Sequence, residues 1–188
     1  TQTQDRSLMM LSGTSVAAPA VSGTVALMLQ QNAGLTPPLI KAILQYTAQP
    51  IAGASLLQQG TGLLNIHGAV RLSKALRNDT ASKIAAGTMT TGATILYEKY
   101  VPSETSSING STVNWSRIAF VGGNTVVSGD ALFKTFQPFY DPRLVWANDV
   151  VRKRVPTYWS GTGITANTFV QSFNEVSIPA GQVLVTAG

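Results

Sequence analysis

Ser12-Gly13-Thr14-Ser15-Val16-Ala17-Ala18-Pro19 is the stretch on which the reading of this chain turns. A turn of small residues runs straight into an apolar segment, Gly13 to Gln31. There Val16, Ala17, Ala20, Val21, Val25, Ala26, Leu27, Met28 and Leu29 fall on every side of a helix. A helix that is apolar all round belongs in the middle of a domain and not on its surface. Pro19 suits such a helix if it falls in the first turn, where a missing N–H costs nothing, and this sets the helix start close to Thr14 or Ser15. Asn32-Ala33-Gly34 supplies the stop. The serine at the joint is a candidate for chemistry. Free N–H groups and the positive helix end favour negative charge there, so a serine attacking a carbonyl would form its oxyanion beside a backbone donor. From residue types alone the simpler reading is that Thr14 or Ser15 is an N-cap.

Working outward, Thr36 is a good N-cap with Pro37 at the first helical position, and Leu39, Ile40, Ile43 and Leu44 form the buried stripe of a second helix ending at Tyr46-Thr47. Gly60-Thr61-Gly62-Leu63-Leu64 reads as a short turn or extended piece. Asn65 then caps a third helix through about Leu76, with Val70 and Leu76 inward and Arg71, Lys74 and Arg77 outward. Around Asn78 to Ala85 the periodicity stops and the composition shifts to Thr, Ser, Gly and aromatics, so a boundary is expected between a domain over 1–80 and a β-rich one over 84–188. In the latter, Thr94 to Val101, Arg117 to Val121, Thr125 to Val127, Phe169 to Ile178 and Gln182 to Thr186 read as strands. Gly122-Gly123-Asn124 and Pro179-Ala180-Gly181 read as hairpin turns. One helix interrupts them, capped by Asp141, with Pro142 first and Leu144, Ala147 and Val151 at helical spacing.

Composition narrows the function classes. Of 188 residues 44% are hydrophobic and only 11% charged, which excludes a charge-rich disordered chain. The net charge of +5 comes from so few charged groups that no phosphate-binding surface is expected, and nucleic acid is not an expected partner. No apolar run approaches the roughly 20 residues a membrane-spanning helix needs. With no cysteine and one histidine, a disulfide scaffold, a thiolate or multi-histidine metal site and a cysteine nucleophile are all excluded within this chain. The opening Thr1-Gln2-Thr3-Gln4 carries no initiator methionine, signal peptide or basic transit segment, as in a processed or partial product.

Gly13-Thr14-Ser15-Val16-Ala17-Ala18-Pro19, followed by Val21, Gly23 and Ala26, resembles the nucleophile segment of subtilisin-like serine proteases, whose pattern is Gly-Thr-Ser-x-Ala-x-Pro-x-Val-x-Gly. Every fixed position of that pattern is matched; Val16 and Ala20 stand where the family often has Met and His. Leu35-Thr36-Pro37 with Ile40, Lys41, Ile43 and Leu44 resembles the family's next helix, and Gly60 to Asn65 followed by Ala69-Val70 resembles the end of its catalytic domain. The resemblance covers about residues 8–76. It implies an α/β chain: the C-terminal part of a three-layer fold with a mostly parallel sheet, followed by the β-rich domain. It also implies a secreted or extracellular endopeptidase, bacterial by analogy, acting on polypeptides by acyl transfer. Ser15 would be the nucleophile, its own N–H an oxyanion donor, and Thr14 the neighbour of that hole.

The family runs Asp, His, Ser along the chain, so the base, its orienting acid and the oxyanion asparagine are expected on an upstream segment. Ahead of Ser15 lie Asp5 and no histidine, and none of Asn32, Asn65 or Asn78 is in place for the oxyanion role. No cofactor is required; calcium stabilises such enzymes by family analogy only, and no acidic calcium loop is present. The rival reading is a non-catalytic binding or structural module derived from a degenerate or self-processed protease within a larger assembly.

Other candidates are weaker. His67, on the first turn of the third helix, is expected to be structural, and a Ser15–Lys41 dyad rests on residue types alone. Ala17 breaks the Gly-x-Ser-x-Gly elbow of an α/β-hydrolase. Arg152-Lys153-Arg154 would make a processing or docking site, or more simply the last turn of the Asp141 helix. The triplets at Asn78, Asn109 and Asn114 fit glycosylation acceptors, a pattern that recurs by chance. Trp115, Trp146, Trp159, Phe133, Phe136, Phe139 and Tyr140 would line a groove or, more simply, fill a core.

Overall fold

The computed structural model describes residues 12–98, 100–121, 125–147, 150–157 and 170–179. The apolar segment forms helix α1, Thr14–Gln31, starting where the sequence places it. Pro19, however, is the sixth helical residue and not part of the first turn. It therefore removes an interior bond, because the Ser15 carbonyl meets no N–H four residues on. Burial of α1 also differs from expectation. Every residue from Thr14 to Gly23 is exposed, and only Thr24 and Met28 are buried, against helix α4 (Ile66–Ala75). Val21 and Leu27 are 40% and 44% exposed, so this chain leaves most of an all-apolar helix uncovered.

Helix α2, Pro37–Thr47, is capped by Thr36, whose Oγ1 accepts the Leu39 N–H and donates to the Tyr140 carbonyl at 2.6 Å. Leu39, Ala42, Ile43 and Tyr46 are buried at three- and four-residue spacing. Helix α3, Leu56–Gln59, is one turn with a Ser55/Gln58 capping box. Beside it Leu63 bridges to Gln49 through bonds of 2.9 and 2.8 Å, the extended piece read at Gly60 to Leu64. Helix α4 is capped by Asn65 and buries Gly68, Ala69, Leu72 and Ser73, while Val70 is only half-buried. Helix α5, Thr80–Ala85, occupies the place expected to be a boundary.

Two antiparallel hairpins follow: β1 (Thr105–Ile108) with β2 (Ser111–Asn114), and β3 (Ile118–Val121) with β4 (Thr125–Ser128). Helix α6 (Ala131–Lys134) and a 3-10 turn (Pro138–Tyr140) come next. Strands β5 (Leu144–Ala147), β6 (Val150–Thr157) and β7 (Val170–Pro179) then form an antiparallel sheet in that order.

This corrects the helix expected from Asp141. Asp141 takes the Arg143 N–H at 2.9 Å in a local turn, and Leu144 to Ala147 pair with Lys153 to Val150. Spacing alone left Leu144, Ala147 and Val151 open to either structure, and cross-strand pairing decided it. Arg152-Lys153-Arg154 accordingly lies on the middle strand and ends no helix. Among its described residues, Thr94 to Val101 contributes only the bridges Thr94–Thr135 and Leu76–Leu96, not a strand. The expected strand Gln182 to Thr186 and the turn residues Gly122-Gly123-Asn124, Ala180 and Gly181 lie outside the described residues. The whole is mixed helix and small sheet, and all the described strand pairs are antiparallel.

A single cluster of buried side chains joins the helices to the residues after them. Met28, Leu39, Ile43, Tyr46 and Leu72 pack with Ile84, Ile95, Trp115, Phe133, Phe136 and Tyr140. Tyr46 stands edge-on to Phe133 at 4.7 Å and to Trp115 at 6.2 Å between ring centres. Of the aromatics expected to line a groove or fill a core, Trp115, Phe133, Phe136, Phe139 and Tyr140 are thus core; Trp159 is outside the described residues.

Candidate functional site

The geometry around Ser15 begins with Gly13. It is the N-cap of α1 at φ +139°, a value that L side chains rarely adopt, and it has no side chain with which to cap. Its carbonyl accepts the N–H groups of Val16 and Ala17, both at 3.1 Å. Thr14 and Ser15 are the first and second helical residues, so neither is the cap, and that simpler reading of the serine falls away. Among the described residues nothing accepts the N–H of Thr14 or Ser15. They are open donors at the positive end of an 18-residue helix, beside an exposed Ser15 hydroxyl.

Among the described residues no base is brought to this serine. His67 is exposed at the second residue of α4, and Lys41 is exposed on α2. Among the described residues neither is hydrogen-bonded to Ser15, and Asp5 lies outside them. The asparagines have structural duties. Asn32 is 3% exposed and sews the end of α1 to the end of α4: its Nδ2 donates to the carbonyls of Ser73 (3.0 Å) and Leu76 (2.9 Å), and its Oδ1 accepts the Gly34 N–H (2.9 Å). Asn65 accepts the Gly68 N–H with Oδ1 and donates from Nδ2 to the Ser106 hydroxyl at 3.0 Å. Sequence reasoning saw Asn32 only as a stop; its reach across 41 and 44 residues is invisible to local pattern.

The segment of the chain that carries this geometry, residues 1–87, matches the model of the subtilase family. The match spans 87 of the chain's 188 residues. No curated protein and no solved structure matches the chain. The family match makes the matched segment similar to subtilisin-like serine proteases, which are hydrolases of the serine type. The subtilase segment ends just beyond α5, while the core it rests on continues to Tyr140.

Electrostatics away from Ser15 serve this core. The Tyr46 hydroxyl donates to Glu104, and burial first, then that bond to Glu104, pushes its ionisation well above the ordinary phenol range. Glu104 is paired with Arg117 at 2.7 Å. The backbone of Ser116 and Arg117 donates to the carbonyls of Ala48 and Tyr46, closing the end of α2. A cleft of about 520 Å³ lies at the far end of α1, lined by Gln31, Asn32, Arg71, Lys74, Tyr97 and Glu98. Roughly 24 Å of helix separates it from Ser15. No described residue group gathers the three or more acidic or imidazole ligands a metal would need, and no described helix is long and apolar enough to cross a membrane.

Proposed function

We propose that this chain is the nucleophile-bearing part of a subtilisin-like serine endopeptidase, with Ser15 as nucleophile. The observation that carries the reading is the position of Ser15. It is the second residue of α1, released from capping by Gly13, and among the described residues nothing accepts its own N–H or that of Thr14, where an oxyanion would form. Ser15 attacks the peptide carbonyl and gives its proton to a histidine; the amine leaves with that proton, and water then releases the acyl group. The histidine, its aspartate and the side-chain oxyanion donor come from an upstream segment of the same protease. The uncovered apolar flank of α1 supports this, because a helix of that composition is stable only under cover. That cover and the missing catalytic groups are supplied together. The protein is read as secreted and as needing no cofactor. Residues 84–188 are read as a β-rich addition whose first part closes the core beneath the helices.

The test is active-site labelling. In the protein joined to its upstream segment, a serine-directed phosphonate attaches to Ser15, and Ser15→Ala abolishes both labelling and peptidase activity. His67→Ala leaves activity within a few-fold, whereas loss of a true general base costs on the order of 10²-fold or more. Labelling at any other serine overturns the assignment. No labelling at all in the joined protein favours the non-catalytic module.

A further inference from the structure

Asn109-Gly110, which opens one of the acceptor triplets, is the two-residue turn between β1 and β2. Both residues are left-handed, Asn109 at φ +50° and Gly110 at φ +77°, as such tight hairpin turns demand. Both are exposed. A side chain at Gly110 would meet nothing within 4 Å, so no neighbour crowds the backbone there. Among the described residues the Gly110 N–H has no acceptor and the Asn109 amide no hydrogen bond.

We infer that Asn109 is a site of spontaneous amide loss, a non-enzymatic modification set by this turn. The Gly110 backbone nitrogen attacks Cγ of Asn109. The new N–C bond closes a five-membered imide, the Cγ–Nδ2 bond breaks, and Nδ2 leaves as ammonia carrying the proton from Gly110. Water then opens the imide at either carbonyl. One product is aspartate in a normal chain; the other is a chain rerouted through the side chain, with an extra methylene in the backbone.

Asn114, Asn32, Asn65 and Asn78 lack this combination. The N–H that would attack Asn114 belongs to Trp115 and is held by the Glu104 carbonyl at 2.9 Å. Asn32 and Asn65 are buried with their amides engaged. Asn78 is followed by Asp79, whose side chain crowds the attacking nitrogen.

The consequence reaches inward. A two-residue turn cannot absorb an extra methylene without shifting the register Ile108–Ser111. β1 also carries Ser106, whose hydroxyl accepts the Asn65 amide and the Trp115 indole N–H at 2.9 Å. Rerouting at the surface therefore loosens a buried polar junction under α4.

The experiment incubates the full chain at mildly alkaline pH, folded and in urea, and follows each asparagine by peptide mapping with fragmentation that separates the two products. Conversion of Asn109 in the folded chain at least about tenfold faster than of Asn78 or Asn114 is expected. Asn109→Gln should stop it, since the longer side chain must close a larger ring. Two results overturn the inference: comparable rates at the three sites, or conversion of Asn109 in urea but not in the folded chain.

Discussion

Phe133→Ala tests whether the subtilase segment and the residues after it fold as one unit. Phe133 has no exposed surface, sits 4.7 Å from the Tyr46 ring of α2, and lies 6.1 Å from Tyr140 in a stacked arrangement. Truncating a fully buried phenylalanine costs about 3–5 kcal/mol, part transfer and part cavity. The edge-on contact with Tyr46 adds to the reasons the site cannot collapse onto nothing. Against a total stability of roughly 5–15 kcal/mol, that is a large fraction. The decisive readout is where the loss appears. If the core is common, hydrogen exchange of the protected α2 and α4 amides in the intact protein should accelerate by roughly two to three and a half orders of magnitude, the factor equivalent to 3–5 kcal/mol. Acceleration confined to residues after 87, with α2 and α4 unchanged, would refute the common core and restore two separable domains.

Asn32→Ala leaves the Ser73 and Leu76 carbonyls without their buried donor, and should lower stability by about 2–4 kcal/mol in denaturant titrations, with an Asn32→Ser control recovering little because the hydroxyl is too short. Thr36→Val removes both the cap of α2 and the bond to Tyr140, a loss of about 2–3 kcal/mol that Thr36→Ser largely restores. Asp79 is held below the usual carboxylate range by its bonds to Arg77 and then Lys83, so its small, solvent-screened contribution is present above the ordinary carboxylate pKa and fades as acid protonates it. Asp79→Asn should therefore shift the urea midpoint slightly downward at neutral pH, with the gap to the parent closing in strong acid; a gap independent of pH would contradict the ion-pair account.

Local chemistry made much of this legible in advance. Thr36-Pro37 and Asn65 announce α2 and α4 because a capping side chain and a proline at the first position act within four residues. The nucleophile motif was legible for the same reason, being one unbroken stretch. What escaped depended on distant partners. Leu144 to Ala147 is a strand because β6 lies beside it; the turn at Asn109-Gly110 is the exception, a local signal that the sequence does carry. The helix expected to be buried on all sides is covered only at Thr24 and Met28, so composition revealed what α1 requires and not what this chain provides. Asn32 and Asn65 disclose their roles only once residues some forty positions away are brought to them.

The bond from Thr36 to Tyr140 also sets a timetable. It spans 104 residues, so during synthesis the start of α2 stays incompletely tied until Tyr140 has left the ribosome. At about 5–20 residues per second that interval is roughly 5–20 s. Throughout it, an emerging chain would display α1, Leu39, Ile43 and Tyr46 with no Phe133 or Tyr140 to meet them. Such a chain gains its core late and all at once, and until then its solubility rests on whatever holds nascent apolar helices apart.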